Sequence, residues 1–128
     1  RATGGFTVNV VDVEHLGPMN ATSASAPPEV DEFAVAGLEK AEATRVEAPY
    51  VASAPAVLEC RLEREVGLGE APNTLVIGRV MAIRLRPSLG RVPGTLFVDT
   101  RALRPVGRLW GGAYMLPGDV TTLPRPDW

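Results

Sequence analysis

Apolar and charged residues alternate strictly from position 57 to 66, and this pattern constrains the fold most. The even positions begin with Leu58 and are mainly apolar, whereas the odd positions are charged and comprise Glu59, Arg61, Glu63 and Glu65. A period of two places successive side chains on opposite faces of a β-strand. The segment therefore predicts a half-buried antiparallel strand with its charged face in water.

A second strand is predicted over residues 74–86, after a Gly-rich turn at residues 67–73. Its apolar face carries Leu75, Ile77, Met81, Ile83 and Leu85. Arg79 falls on the same face and breaks the pattern. Such a break is typical of a functional site or an interface. The alternative is an arginine at the rim whose head group stays in water.

The remaining segments predict short strands and small helices. Residues 6–13 are rich in β-branched residues and predict a strand buried on both sides, in which the Asn9 amide needs a partner. Residues 14–28 predict a loop with a helical turn around Met19, and Asp31 is placed to cap a short helix that Gly37 ends. Residues 96–103 predict a strand end that leads into a helix before Pro105, and a proline-stiffened tail follows. Together these elements favour an all-β dominated fold, a β-barrel with Greek-key connections and a few short helices.

Composition limits the classes of function. The 128 residues fit a single domain over 1–128. Thirteen basic and fifteen acidic residues argue against a nucleic-acid partner, and no apolar run is long enough to cross a membrane. One cysteine excludes an internal disulfide and favours a cytoplasmic location. The segment Thr3-Gly4-Gly5 is typical of a helix end, so we expect an N-terminally incomplete domain.

The sequence provides no obvious catalytic side chains. His15 and Cys60 lie too far apart in the sequence and are too few to build a zinc site, so no metal is expected. We expect His15 to face solvent and Cys60 to act as a small core residue. A Ser-His-Asp triad would have to use His15, and neither a GxSxG elbow nor a phosphate-binding glycine motif occurs. The carboxylates are expected on exposed faces or in loops, so any enzymatic chemistry requires a cofactor.

The order of several segments resembles the flavin reductase-like, FMN-binding split-barrel family, in its flavoredoxin branch. The segments that carry the resemblance are Arg1-Ala2-Thr3-Gly4-Gly5-Phe6-Thr7-Val8-Asn9-Val10, Met19-Asn20-Ala21-Thr22-Ser23, Asp31-Glu32-Phe33, Gly37-Leu38, Ala48-Pro49-Tyr50-Val51, Leu58-Glu59-Cys60, Ile77-Gly78-Arg79-Val80 and Leu103-Arg104-Pro105-Val106-Gly107-Arg108-Leu109. The resemblance extends over nearly the whole chain.

The resemblance implies a homodimer of split β-barrels that binds FMN at the dimer interface. It also implies hydride transfer from NAD(P)H to the flavin, with a partner monooxygenase that receives reduced flavin. The cofactor-binding residues that it suggests are Asn9, Asn20, Thr22, Ser23, Arg79, Gly112 and Tyr114.

The chain departs from the family pattern in three places, one of which is near Thr74, where some relatives carry a histidine for the nicotinamide and this chain does not. Family members carry an N-terminal region with the first barrel strands, and nothing here matches it. Trp110 precedes the glycines before Tyr114, where relatives often have only small residues. Two alternatives to a reductase therefore stay open: a non-catalytic FMN-binding electron carrier, and a truncated barrel that acts only as a dimerisation module.

Overall fold

The computed structural model describes residues 3–70 and 73–127. Its strands are β1 (Gly5–Asn9), β2 (Lys40–Glu42), β3 (Pro49–Val51), β4 (Ala56–Leu68), β5 (Asn73–Leu85), β6 (Gly107–Arg108) and β7 (Tyr114–Met115). Its helices are a 3-10 turn (Val13–His15), α1 (Leu16–Ala21), α2 (Glu32–Val35) and α3 (Thr100–Leu103). The two long strands, the helical turn at Met19 and the helix before Pro105 are confirmed. The parts of the sequence predictions that concern Arg1, Ala2, Ala71, Pro72 and Trp128 lie outside the described residues.

The strands form a three-stranded antiparallel sheet in the order β1-β4-β5 and two small two-stranded sheets, β2-β3 and β6-β7. In the part of the chain that the structure describes, these sheets do not close into a barrel. The first strand ends at Asn9, short of the predicted position 13. The prediction that it is buried on both sides was wrong, because the Val8 side of the sheet is uncovered and Val8 is 44% exposed.

Local signals fix the short helices as expected. The Asp31 carboxylate accepts the backbone N–H of Phe33 at 3.1 Å and begins α2. Gly37 adopts a left-handed φ of 66° after the helix, where a side chain is disfavoured. The same capping geometry begins α3, where Asp99 accepts from the N–H of Arg101 at 3.0 Å.

The face of the sheet that was expected to be solvated is covered near the start of β4. Glu59 pairs with Thr7 of β1 and Ala82 of β5, so all three side chains share one face. The segment between β2 and β3 folds over this face, and Glu59 has no exposed surface at all. The expectation that all carboxylates lie on exposed faces or in loops was therefore wrong for Glu59.

Four donors satisfy the buried Glu59 carboxylate. It accepts the backbone N–H groups of Thr44 at 3.0 Å and Arg45 at 2.6 Å, a long contact from the Thr44 hydroxyl at 3.4 Å, and the Arg84 Nε at 2.5 Å. Burial works to raise the pKa of Glu59, but these hydrogen bonds outweigh it and hold the pKa below the ordinary value of 4.5. The carboxylate stays ionised and fastens the β2–β3 connection to the sheet.

The predicted orientation of Arg79 was wrong, because two β-bulges change the register of the two long strands. The register of β4 with β5 shifts between Glu59 and Cys60 and again between Leu62 and Arg64. Because the first shift skips one residue of β5, Arg79 lies opposite Arg61, on the charged face, and not on the face of Ile83. Its guanidinium donates to Glu63 at 3.0 and 3.3 Å and stays mainly in water.

The opposite, apolar face of the sheet is open to solvent. Val8, Leu58 and Ile83 form one cross-strand row on this face, and Ile83 is 66% exposed. Further along β5, Val76 and Val80 share the face of Cys60, whereas Leu75 and Ile77 share the opposite face with Arg79; all four apolar side chains are exposed. Only the part of the face around Cys60 is buried, as expected for that residue, and burial raises the pKa of its thiol. Within the described residues, β4 is buried or part-buried on both faces over its first five positions and mainly exposed on both faces beyond them, so the prediction of one buried and one solvated face was wrong.

We expect Gly78→Ala to destabilise the protein by about 1–3 kcal/mol, because a Cβ at this position would collide with the Phe6 ring and crowd Cys60. Gly67→Ala is the matched control in the paired strand, since its Cβ would meet nothing within 4 Å. Urea denaturation measures both variants. Equal stability of the two variants would contradict the packing of Phe6 against Gly78.

We also expect Glu59→Gln to lower the free energy of unfolding by about 2 kcal/mol or more, because the amide cannot accept from all of the donors and leaves Arg84 without its ion pair. Glu63→Gln is its control on the same strand. Its ion pair with Arg79 is solvent-exposed, so its loss should change the stability much less than the loss of the buried pair. The same denaturation assay compares the two, and a smaller effect at Glu59 than at Glu63 would contradict the anchoring role.

Candidate functional site

Asp12, His15 and Ser53 form a hydrogen-bonded line beside β1. The Asp12 carboxylate begins the 3-10 turn by accepting the backbone N–H of His15 at 3.0 Å. The same oxygen contacts His15 Nδ1 at 2.5 Å. On the other side of the ring, His15 Nε2 lies 2.8 Å from the Ser53 Oγ. The imidazole is therefore held at both nitrogens.

Asp12 is almost fully buried, and its charge is balanced locally. The Arg86 Nη1 lies 3.6 Å from its second oxygen. Burial works to raise the pKa of Asp12, but the hydrogen bonds from His15 and the charges of His15 and Arg86 hold the pKa below its ordinary value of 3.8. An ionised Asp12 fixes the position of the ring and favours a proton on Nδ1.

The expectation that His15 faces solvent was wrong, because its side chain is only 14% exposed. The reason is non-local: Ser53 lies 38 positions along the chain and closes over the ring. The spacing of Asp12 and His15 is the one sequence signal of this contact, since an N-cap acid can bind a residue three positions later. Nothing local in the sequence points to Ser53.

A cavity of about 260 Å³ lies next to this line of residues. Its wall is mainly apolar, with a few polar groups among the apolar side chains, as is common in small-molecule sites. The residues that line it are Asn9, Val10, Val11, His15, Met19, Thr22, Glu32, Phe33, Leu38, Val51 and Ala54.

Two of the predicted site residues, Asn9 and Thr22, line this cavity. The Asn9 amide finds the partner that the sequence required: its oxygen accepts the Val51 N–H at 2.9 Å, and its nitrogen donates to the Thr7 hydroxyl at 3.4 Å. Thr7 in turn donates to the Pro49 carbonyl at 2.7 Å. The polar side chains on one face of β1 thus hold β3 in place and form part of the cavity wall.

Asn20 and Ser23 follow at the end of α1, beside the cavity but not in its lining. The Thr22 hydroxyl donates to the Met19 carbonyl at 2.8 Å, and the Ser23 hydroxyl donates to the Asn20 carbonyl at 2.7 Å. Both hydroxyls end the helix and keep their lone pairs free to accept a hydrogen bond.

The other predicted residues lie elsewhere. Gly112 and Tyr114 belong to the β6–β7 hairpin, where the Arg108 guanidinium lies 5.6 Å from the Tyr114 ring centre. Arg79 lies on β5 and donates to Glu63 of β4. None of the three lines the cavity, so the structure brings together only part of the predicted set.

A second hollow, a groove of about 760 Å³, lies at the other end of the β1–β3 contact. It runs along the β2–β3 segment and is bordered by charged residues of both signs, namely Lys40, Glu42, Arg45, Glu47 and Arg61. Lys40 is engaged by Asp31 at 2.6 Å. Among the described residues, the Arg45 and Arg61 side chains make no ion pair, so both can bind an anion.

Residues 3–70 and 73–127 contain no group of three or more histidine, cysteine or acidic side chains placed to hold a metal ion. None of the helices in the described part of the chain is long and apolar enough to span a bilayer.

Relatives of known sequence and structure match most of the chain. A protein of Halalkalibacterium halodurans is 35% identical over 127 residues, which cover 96% of this chain and 59% of that protein. The solved nitrilotriacetate monooxygenase component B from Bacillus cereus is 31% identical, with a TM-score of 0.86, and the match covers 95% of this chain and 61% of that one.

Two further structures bear on the fold. The NADH:FAD oxidoreductase SgcE6 of Streptomyces globisporus is 28% identical with a TM-score of 0.56, over 67% of this chain and 49% of that one. A protein with a split barrel domain from Shewanella frigidimarina is 22% identical with a TM-score of 0.84, over 97% of this chain and 62% of that one, and it bears on the fold alone. The predicted split-barrel fold class is confirmed by these likenesses.

The chain spans about 60% of the length of the curated relatives that it matches, such as the Halalkalibacterium and Bacillus subtilis proteins. The family model described as "Flavin reductase like domain" matches residues 1–107. Because this match covers most of the chain, the chain belongs to the flavin reductase like domain family.

Proposed function

We propose that the protein is an FMN-dependent flavin reductase that transfers hydride from NAD(P)H to the flavin. Membership of the flavin reductase like domain family carries this proposal. The 28% identity to an NADH:FAD oxidoreductase supports the nicotinamide reductant. Among the described residues, Ser53 with His15 is the only nucleophile–base pair, and such a pair cannot store electrons. The redox step therefore needs a cofactor.

The cavity fits the ring system of a flavin better than a whole mononucleotide. Drug-sized ligands occupy pockets of roughly 300–1,000 Å³, and this cavity is slightly smaller. Its apolar wall, including Phe33 and Leu38, suits a flat aromatic ring. The Thr22 hydroxyl and the second N–H of the Asn9 amide are the groups placed to bind the polar edge of that ring.

The cavity lining contains no lysine or arginine, so a phosphate needs another partner. The groove at the other end of the β1–β3 contact offers Arg45 and Arg61. Guanidinium groups bind phosphate oxygens in a bidentate manner. We assign the phosphates of the flavin or of the nicotinamide dinucleotide to this groove, with Asn20 and Ser23 as neutral contacts nearer the cavity.

When bound, the flavin accepts a hydride and stores two electrons. The residues of this chain bind and orient it: the apolar wall excludes water, and Asn9 holds β3 in the position that closes the cavity. Exclusion of water strengthens each polar contact to the ring, since charges interact more strongly in a low-dielectric site.

The uncovered apolar face of the main sheet supports a homodimer. Val8 and Ile83 flank the part-buried Leu58 in one cross-strand row and are 44% and 66% exposed. Exposed apolar surface of this kind marks an interaction site. We propose that a second copy of the protein packs there and completes the flavin site with its Gly112 and Tyr114, which lie away from the cavity of their own chain. Arg79 is paired with Glu63 on the opposite face of the sheet.

The 31% identity to a monooxygenase component B supports a partner monooxygenase that uses the reduced flavin. The single cysteine is free and buried, which fits a reducing compartment, and we place the protein in the cytoplasm.

We expect the purified protein to bind FMN and to lose its yellow colour when NADH or NADPH is added without oxygen. Leu38→Trp fills the cavity and should weaken FMN binding at least tenfold, as measured by quenching of flavin fluorescence. Leu123→Trp, at an exposed position of the tail, is the matched control and should bind as the parent does.

Three results separate the hypotheses. Binding without bleaching identifies an electron carrier, and failure to bind FMN at all rejects the flavin reading in favour of a dimerisation module. Tight FMN binding by Leu38→Trp, with the fold intact by circular dichroism, rejects the cavity as the ring site.

We expect Ile83→Glu to convert the dimer to a monomer, because a charge in the centre of the apolar row must be desolvated on association. Arg61→Glu reverses a charge on the opposite face of the sheet and should leave the mass of the dimer in solution unchanged. Sedimentation velocity measures both masses. A dimer that survives Ile83→Glu would show that this face is not the dimer interface.

A further inference from the structure

The Ser53–His15–Asp12 line has the order and spacing of a nucleophile, a base and an orienting acid. Ser53 Oγ to His15 Nε2 is 2.8 Å, and His15 Nδ1 to Asp12 is 2.5 Å. A serine hydroxyl becomes a nucleophile when an imidazole accepts its proton and a carboxylate fixes the imidazole. Such a triad is recognised by geometry and not by sequence order.

We propose that Ser53 is the nucleophile of an acyl-transfer site, with His15 as general base and Asp12 as a positioning residue, and that it reacts with small carboxylic esters. This activity uses no flavin and lies beyond the reductase function proposed above. Arg86 completes the arrangement, since it balances the charge of Asp12 from the other side.

Other hydroxyls near the cavity are engaged differently. The hydroxyls of Thr22 and Ser23 donate to backbone carbonyls, which cannot take up a proton. Ser53 instead meets a ring nitrogen that the Asp12 contact leaves as the acceptor. This difference in partner distinguishes Ser53 from an ordinary turn former.

The position of Ser53 allows a substrate to approach. It lies on an exposed turn, closed by the Ala54 N–H bonding the Val51 carbonyl at 2.9 Å. Among the described residues, the backbone N–H of Ser53 has no partner, so it is free to donate to the oxygen of a reacting carbonyl. Because Ser53 lines neither of the two hollows described above, we expect small, unhindered esters as substrates.

The reaction balances without any other reagent than water. The Ser53 Oγ forms a bond to the ester carbonyl carbon as its proton moves to His15 Nε2. The bond from that carbon to the leaving oxygen breaks, and His15 gives the proton to the departing alcohol. Water then attacks the acyl-serine by the same route, which releases the carboxylic acid and restores Ser53.

The first test is covalent labelling of the full, flavin-loaded protein with a fluorophosphonate, followed by peptide mass spectrometry. We expect one labelled residue, Ser53, and slow hydrolysis of 4-nitrophenyl acetate. Ser53→Ala should remove the label and lower the hydrolysis rate at least tenfold, while FMN binding is retained. Ser25→Ala, which removes another exposed serine, is the matched control and should change neither.

The remaining variants test the roles of the partners. His15→Ala should label at least tenfold more slowly, and added imidazole should restore part of the rate, which a merely structural histidine would not allow. Asp12→Ala should also label slowly, and Asp12→Glu should recover part of the rate. An unlabelled Ser53 in the folded protein, or hydrolysis that Ser53→Ala leaves unchanged, would overturn the proposal and show that the serine only braces the ring.

Discussion

The buried carboxylate of Glu59 is the interaction on which the other features depend. It lies near the start of β4, the middle strand of the main sheet, and its donors come from the β2–β3 connection and from β5. A buried charge without these partners would be expelled to water, and the connection would leave the sheet with it. That connection leads directly into β3, which Asn9 binds at Val51. The Glu59 carboxylate therefore helps to position the walls of both hollows.

The chain itself therefore covers the polar face of the main sheet near the start of β4. Thr7, Asn9 and Glu59 hold the β2–β3 layer by directional bonds, which fix position more strictly than apolar contacts do. The apolar row through Leu58 lies on the other side and is exposed at both of its ends. The few buried side chains of the sheet lie on both faces: Val57 shares the covered face with Glu59, and Cys60 shares the other face with Leu58.

Sequence reasoning succeeded where the signal was local. The alternation from Leu58 onward and the caps at Asp31 and Gly37 involve neighbours in sequence, and the structure has each of them. It did not succeed where a distant segment decides the outcome. Residues 44–45 bury Glu59, and Ser53 covers His15, while the skipped residue in β5 reverses the face of Arg79. A bulge cannot be recognised in such an alternating sequence, because the sequence is compatible with either set of residues on a given face.

His15 connects the two activities proposed for the chain. Its ring lines the cavity assigned to the flavin, and its Nε2 contacts the nucleophile Ser53. Asp12 holds the other nitrogen of the ring, so the direction of Nε2 is fixed. A flavin ring that packs against His15 must therefore leave the contact between Nε2 and Ser53 in place if both sites are to work in one protein.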